Sequence, residues 1–171
     1  MSQVGNHILK VEVKDKAGNP RIQEIQFRVI YNFGGYLPPI KVDGSGIYQL
    51  GRTLPVKFQL FDVNNDIVSF AQARLFFAAS GTNSFISAVS SGGANTDNEF
   101  RFDTADKQYI FNWSTKILNA GIYRLRADLN DGTSKFADVR LDGGQLATLS
   151  SLLDKLYNLL TSLLEIIKRL P

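Results

Sequence analysis

Short segments in which apolar and polar residues alternate run through most of this chain, and each ends in a cluster of Gly, Asn, Asp or Pro. A period of two is typical of a β-strand that buries one face. The strands predicted in residues 31–142 are Leu54–Phe61, Ala73–Ala78, Phe100–Phe102, Gln108–Ser114, Gly121–Leu129 and Lys135–Leu141. Many short strands joined by turns predict an antiparallel β-sandwich. Between Ser80 and Asn98 the chain is rich in Ser, Gly and Asn, and we expect an exposed excursion with one short strand.

Residues 1–30 predict a separate β-hairpin. Leu9, Val11 and Val13 alternate with charged residues, and the turn residues Asp15–Pro20 precede a second alternating segment. A lone hairpin is not stable in water, so this one must pack on the next part, on another chain or on a missing neighbour. His7 lies at the mouth of the hairpin without a carboxylate or second histidine near it, and no role is assigned to it.

The composition excludes several kinds of chemistry. The 171 residues include no cysteine and one histidine, so disulfides, thiolate zinc sites, cysteine nucleophiles and multi-histidine metal sites are excluded. Asp62, Asn64 and Asp66 have the spacing of a calcium loop, but Ile67 and Ala73 replace the required Gly and Glu, so a hairpin turn is expected. We therefore predict no catalytic residue, no metal ligand and no cofactor.

The charge and the termini bear on partners and location. The formal net charge is +3, and no run of Lys or Arg follows the pattern of a nucleic-acid groove, so nucleic acid is excluded as a partner. Neither a signal peptide nor an apolar stretch of ~20 residues is present. The expectation is a soluble protein whose export signal, if it belongs to a secreted parent, lies upstream.

Several motifs resemble a known family when they are taken in order. They are Phe33-Gly34-Gly35-Tyr36-Leu37-Pro38-Pro39, Leu54-Pro55-Val56-Lys57-Phe58-Gln59-Leu60, Gln108-Tyr109-Ile110-Phe111-Asn112-Trp113, Ala120-Gly121-Ile122-Tyr123-Arg124-Leu125 and Asp131-Gly132-Thr133. Together they resemble the PxKF domain of bacterial and archaeal secreted and cell-surface proteins, over about residues 31–141. Residues 5–19 are similar to the last strands of a bacterial immunoglobulin-like repeat. The resemblance implies an accessory module near the end of a large extracellular protein, with no established chemistry.

The residues of these motifs have structural explanations of their own. Pro55 at the start of a strand costs no central hydrogen bond, and Val56 and Phe58 point to one face while Lys57 points to the other. Tyr123 has the spacing of a tyrosine corner or is a plain core tyrosine. Trp113 alternates with polar residues in a way that is typical of a buried strand face.

The last part of the chain, residues 143–171, follows a seven-residue pattern after Gly143-Gly144. We define its apolar stripe as the a, d and g positions, which are Leu146, Leu149, Leu152, Leu153, Leu156, Leu159, Leu160, Leu163, Ile166, Ile167 and Leu170. The pattern predicts a helix whose apolar face is wider than a two-stranded coiled coil needs. Burying all eleven side chains would contribute on the order of 15–30 kcal/mol before association costs.

Three partners can cover the apolar stripe. Copies of the helix can form a parallel bundle of three or more, the helix can fold back on its own β-strands, or it can lie in a membrane interface. Self-association is favoured because the a and d positions stay in register throughout. A membrane is disfavoured because acidic residues offset the basic ones on the polar face.

The sequence as a whole predicts a mainly β protein, an antiparallel immunoglobulin-like β-sandwich with a C-terminal amphipathic, coiled-coil-like α-helix. Its predicted parts are a hairpin (1–30), the PxKF-like sandwich (31–142) and an oligomerisation helix (143–171). The predicted function is a non-enzymatic structural or interaction module of an extracellular or cell-surface protein, homo-oligomeric as a trimer or higher. The alternative is a carbohydrate-binding module of a secreted enzyme, with polysaccharide stacked on Trp113, Tyr31, Phe33 and Tyr36.

Overall fold

A computed structural model describes residues 4–168, without the side chains of residues 144–148, 150, 151, 166 and 167. The described part of the chain is mainly β, with eleven strands followed by one helix. The elements are β1 (Gly5–Lys14), β2 (Pro20–Val29), β3 (Asn32–Leu37), β4 (Ile47–Gln49), β5 (Thr53–Phe61), β6 (Ala73–Ala79), β7 (Ile86–Ser87), β8 (Arg101–Asp103), β9 (Gln108–Ser114), β10 (Gly121–Leu129), β11 (Ser134–Asp142) and α1 (Gly144–Ile167).

The strands form three sheets. β1 and β2 pair only with each other, and we call this two-stranded sheet the ribbon. A four-stranded antiparallel sheet has the order β3-β5-β9-β8. A five-stranded sheet has the order β4-β11-β10-β6-β7, in which β4 runs parallel to β11 and the other pairs are antiparallel.

The two larger sheets contribute to one hydrophobic core. In β5 every second residue from Leu54 to Leu60 is buried, as period-two alternation requires. The ring of Trp113 in the four-stranded sheet lies 5.0 Å from the ring of Phe77 in the five-stranded sheet. Phe58 is fully buried and its ring contacts those of Phe33, Tyr36, Phe100 and Tyr109. These contacts hold the two sheets together as one β domain, residues 31–142.

Two tyrosines bring hydroxyl groups into this core and find partners there. The Tyr36 hydroxyl donates to the carbonyl of Lys135 at 2.8 Å, which links β3 to β11 in the other sheet. The Tyr109 hydroxyl donates to the carbonyl of Val68 at 3.0 Å and accepts from the N–H of Ala71 at 2.8 Å. Burial raises the pKa of Tyr36 well above 10 and that of Tyr109 to about 12, because a buried phenolate would lose its hydration.

All six strands predicted in residues 31–142 are present, and most of their bounds agree to within a residue. The sequence did not predict β3 or β4. β3 contains Gly34 and Gly35 and a register shift between Phe33 and Tyr36, so its alternation is interrupted. A Cβ on Gly34 would lie 2.7 Å from the Phe61 ring, which explains why the strand carries no side chain there. β4 has only three residues, too few for a periodic pattern.

Candidate functional site

The helix α1 carries more exposed large apolar side chains than any other described element. Its 24 residues span about 36 Å, and they contain no proline and no Gly after the first residue. Residues with strong helix propensity, chiefly Leu with Lys and Glu, fill the interior. Thr161 and Ser162 donate to the carbonyls of Tyr157 and Asn158, four residues back, so their hydroxyls are satisfied within the helix.

Seven members of the apolar stripe have described side chains, and each is between 53% and 68% exposed. They are Leu149, Leu152, Leu153, Leu156, Leu159, Leu160 and Leu163. The neighbouring e positions, Tyr157 and Leu164, are exposed as well. The side chains of Leu146, Ile166 and Ile167, and the whole of Leu170, lie outside the described residues.

The β domain does not cover these seven leucines, so the fold-back of the helix on its own strands is not observed. Because full burial of a leucine contributes ~1.5–3 kcal/mol, covering the exposed half of each would contribute roughly 1 kcal/mol or more. Packing another apolar surface on this face would therefore be strongly favourable. Large exposed apolar faces are typical of interaction sites.

The ribbon and α1 leave the β domain at opposite ends. α1 starts two residues after β11 ends at Asp142, whereas the ribbon joins β3 beside the turn that precedes β11. β11 has nine residues, so about 30 Å separates these two points.

Asp131 links the start of β3 to the turn before β11, and the sequence singles this residue out only within the Asp131-Gly132-Thr133 motif. Its carboxylate is 1% exposed. One oxygen accepts from the N–H of Tyr31 at 2.8 Å, and the other accepts from the N–H and the hydroxyl of Thr133, each at 2.8 Å. No sequence pattern predicts that the carboxylate of Asp131 is buried or that it bonds to a residue a hundred positions away.

The aromatic residues considered for polysaccharide stacking are in the core. Trp113 is 0% exposed, Tyr31 and Tyr36 are also buried, and Phe33 is half-buried against the same cluster. These rings offer no open face to a sugar, so a stacking platform built from them is wrong. Their contribution is to the packing between the two sheets.

The remaining motif residues have the local structure of strands and turns. Pro55 pairs with Asn112 of β9, and the pairing of β5 with β3 ends at Lys57, so the missing N–H of Pro55 interrupts no bond on that side. The Tyr123 hydroxyl donates to the carbonyl of Asn119 at 2.9 Å, four residues upstream, a bond typical of a tyrosine corner.

Asp62, Asn64 and Asp66 form the expected hairpin turn. One oxygen of Asp62 accepts from the N–H groups of Asn64 and Asp66 at 2.8 and 2.9 Å, and Asn65 adopts a φ of 66°. Among residues 4–168, no group of three acidic, histidine or cysteine side chains is placed to hold a metal. No helix within that range is long and apolar enough to span a bilayer.

No protein-family model and no curated protein matches this sequence. Among solved structures, the chain is similar to domains 4 and 5 of the S-layer protein SbsC, at 12% identity over 79% of this chain. It covers 57% of that chain, and the TM-score of 0.32 is too low to carry an argument about fold or function.

Proposed function

We propose that this chain is a non-enzymatic structural module that self-associates through the apolar stripe of α1, as a parallel bundle of three or more helices. One observation carries the proposal: seven leucines on one face of a helix are more than half exposed and receive no cover from the β domain. Water disfavours such a surface, and a second copy of the same face is the partner of matching shape and period.

The width of the apolar stripe supports three or more helices over two. A two-stranded coiled coil buries only the a and d positions and usually places charged residues at e and g. Here Leu152 and Leu159 occupy g, and Tyr157 and Leu164 occupy e. In a bundle of three or more helices, the e and g positions are buried along with a and d. An apolar stripe that includes e and g therefore favours a bundle of three or more helices over two.

For the β domain, we infer an immunoglobulin-like sandwich of the PxKF type. Two sheets that share one core and a tyrosine hydroxyl bonded to the backbone upstream support this inference. The ribbon would then be the end of a preceding repeat, as its similarity to the last strands of such a repeat implies.

The biological setting that follows is an extracellular or cell-surface protein. A rigid β domain would act as a spacer, and the helical bundle would hold several chains together. Weak contacts made by parts further along each chain then gain avidity, because linkage turns separate binding events into intramolecular ones. The module itself needs no active site for this role.

Light scattering on the full chain tests the proposal. We expect a mass of about 57 kDa or more, three times the chain mass of 19.0 kDa. Replacing Leu156 and Leu160 by Asp puts charge on the apolar stripe and should break the helical bundle, so that the mass falls to no more than about twice the chain mass of 19.0 kDa. A chain ending at Asp142 should behave in the same way.

The matched control carries the same added charge on the polar face. Asn158→Asp with Ser162→Asp changes the net charge equally and should leave the assembly intact. A wild-type chain that is monomeric at micromolar concentration, or an assembly that survives both leucine substitutions, would contradict the proposal.

A further inference from the structure

The ribbon carries a second uncovered surface, at the end of the domain opposite α1. The side chains of Leu9, Val11 and Val13 on β1 and of Ile25 and Phe27 on β2 share one face of the ribbon and are between 42% and 55% exposed. At the turn end of β2 the same face carries Arg21 and Gln23. Two strands alone are marginally stable in water, whereas three or more strands with an apolar face can be stable. The ribbon would therefore gain stability from additional strands.

The outer edge of β1 has unpaired backbone groups in a known pattern. At the hairpin turn the N–H of Asp15 donates to the carbonyl of Asn19 at 3.1 Å. Hydrogen-bonded and non-hydrogen-bonded pairs alternate along an antiparallel ladder, so Val13, Val11 and Leu9 bond to β2. The N–H and carbonyl groups of the residues between them, which are Ile8, Lys10, Glu12 and Lys14, then point outward.

We propose that β1 pairs with β1 of a second copy, antiparallel and centred on Val11. In this register Lys10 lies opposite Glu12 of the other copy, and the twofold symmetry produces that pair twice. Leu9 lies opposite Val13, and the two Val11 side chains meet on the axis. The outward-pointing backbone groups of the two strands face each other, and the product is a four-stranded sheet whose two central strands carry Leu9, Val11 and Val13 of both copies on one face.

The registers next to this one are disfavoured by charge or by face. Moving the centre to residue 10 or residue 12 puts two lysines or two glutamates opposite each other on the axis. If the twofold axis lies between two residues instead of on one, each apolar residue of one copy is opposite a polar residue of the other. The apolar side chains of the two copies then lie on opposite faces of the sheet. Glu12 makes no ion pair with the other described residues, and Lys10 has only a distant one to Glu24 at 3.9 Å, so both charges are available.

The outer edge of β2 is less suited to the same pairing. Pro20 at its start has no N–H, so it cannot donate a hydrogen bond to an added strand. At its other end Arg28 bonds to Asn6 and approaches the carbonyl of Gly132. Val29 lines a cavity of about 910 Å³ that the turn at residues 62–66 also lines, so the β domain lies beside this end of the edge.

The pairing of β1 is independent of α1, but its consequence for assembly rests on the proposed function. A twofold contact at one end of the molecule and a bundle of three or more at the other would connect bundles to one another. The product would be an extended array of chains.

Crosslinking through an introduced thiol tests the register, since the chain has no cysteine of its own. Residues facing each other on the axis form a non-hydrogen-bonded pair with Cα atoms ~4.5 Å apart. A disulfide bridges Cα atoms about 4.4–6.8 Å apart. Under mild oxidation the full chain with Val11→Cys should therefore form a 38 kDa covalent dimer, twice the 19.0 kDa chain mass. Val13→Cys is the control, because its own copy lies far from it in this register, and it should crosslink at least tenfold more slowly.

Charge substitutions in the Val11→Cys background test the complementarity. Glu12→Lys or Lys10→Glu alone places like charges opposite each other at both positions, and either should slow crosslinking about tenfold. Mixing these two variants restores opposite charges and should restore the rate. Lys116→Glu, on an exposed loop of the β domain, changes the charge without touching the edge and should have no effect.

The outcomes separate this inference from the proposed function. If Leu156→Asp with Leu160→Asp abolishes the large assembly while Val11→Cys still forms the covalent dimer, the helix proposal and β1 pairing are both supported. No crosslinking of Val11→Cys, or equal rates for Val11→Cys and Val13→Cys, overturns β1 pairing and leaves the helix proposal standing. Crosslinking in a chain whose mass is insensitive to the helix substitutions overturns the helix proposal and leaves β1 pairing in place.

Discussion

Tyr36 and Tyr109, two of the buried tyrosines, make stability fall at alkaline pH by an amount that can be calculated, and Tyr31, whose pKa burial also raises, adds to this fall. An unfolded chain ionises its tyrosines near pH 10, whereas the folded domain keeps Tyr109 protonated up to about pH 12 and Tyr36 beyond that. The raised pKa values stabilise the fold fully below pH 10, and that contribution is lost as the pH rises. Above pH 10 each tyrosine costs ~1.4 kcal/mol of unfolding free energy per pH unit. Between pH 9 and pH 11 the two together should cost about 2.5–3 kcal/mol.

Urea unfolding at pH 9 and pH 11 measures this loss, and the fluorescence of the single tryptophan, Trp113, reports it from the core. All proteins in the series should carry Leu156→Asp and Leu160→Asp and be compared at one protein concentration, so that association of the helices does not contribute to the free energy and any other association contributes equally. Tyr109→Phe should lower stability at pH 9, because the N–H of Ala71 and the carbonyl of Val68 lose their partner.

The same variant should reduce the loss between pH 9 and pH 11 by about 1.4 kcal/mol, since one titrating group is gone. Tyr157→Phe, at a side chain that is 71% exposed on α1, is the control and should leave the loss unchanged. If Tyr109→Phe showed the same alkaline loss as its parent, the argument from burial would be refuted.

Three further substitutions test the core and its polar links by urea unfolding at pH 7. Asp131→Ala leaves the buried N–H of Tyr31 without its acceptor and should cost about 3 kcal/mol, whereas a cost under 1 kcal/mol would show that the carboxylate is dispensable. Phe58→Ala opens a cavity at the centre of the aromatic cluster and should cost ~3–5 kcal/mol, and a cost below 2 kcal/mol would mean that the sheets close over it. Tyr123→Phe removes only the hydrogen bond to Asn119 and should cost ~0.5–1.5 kcal/mol, with no change in assembly mass.

The strands were predictable where side chains alternate without interruption. Every second residue of β5 and β9 is apolar, and these residues form the buried face that the alternation indicates. β3 escaped prediction because Gly34 and Gly35 interrupt the alternation at a bulge. Its Gly34 is explained only by the Phe61 ring of the neighbouring strand, and strand neighbours are a property of the fold.

The role of individual residues was predictable only where it is local. The turn at Asp62 was expected, and its hydrogen bonds span four residues. Asp131 was singled out only within a short motif, and its bond to Tyr31 joins groups a hundred positions apart. The alternation around Trp113 favoured the core over a sugar platform, and its contact with Phe77 of the other sheet places it in the core.

The sequence by itself determined which side chains share a face, both on the strands and on α1, because a period of two or of seven is set by backbone geometry alone. Only the tertiary structure decided which of those faces are covered. The face of β5 that carries Phe58 is covered by the opposite sheet, while the described leucine side chains of α1 and the apolar face of the ribbon are exposed to water. Coverage depends on neighbours that lie far away along the chain, and no local pattern records them.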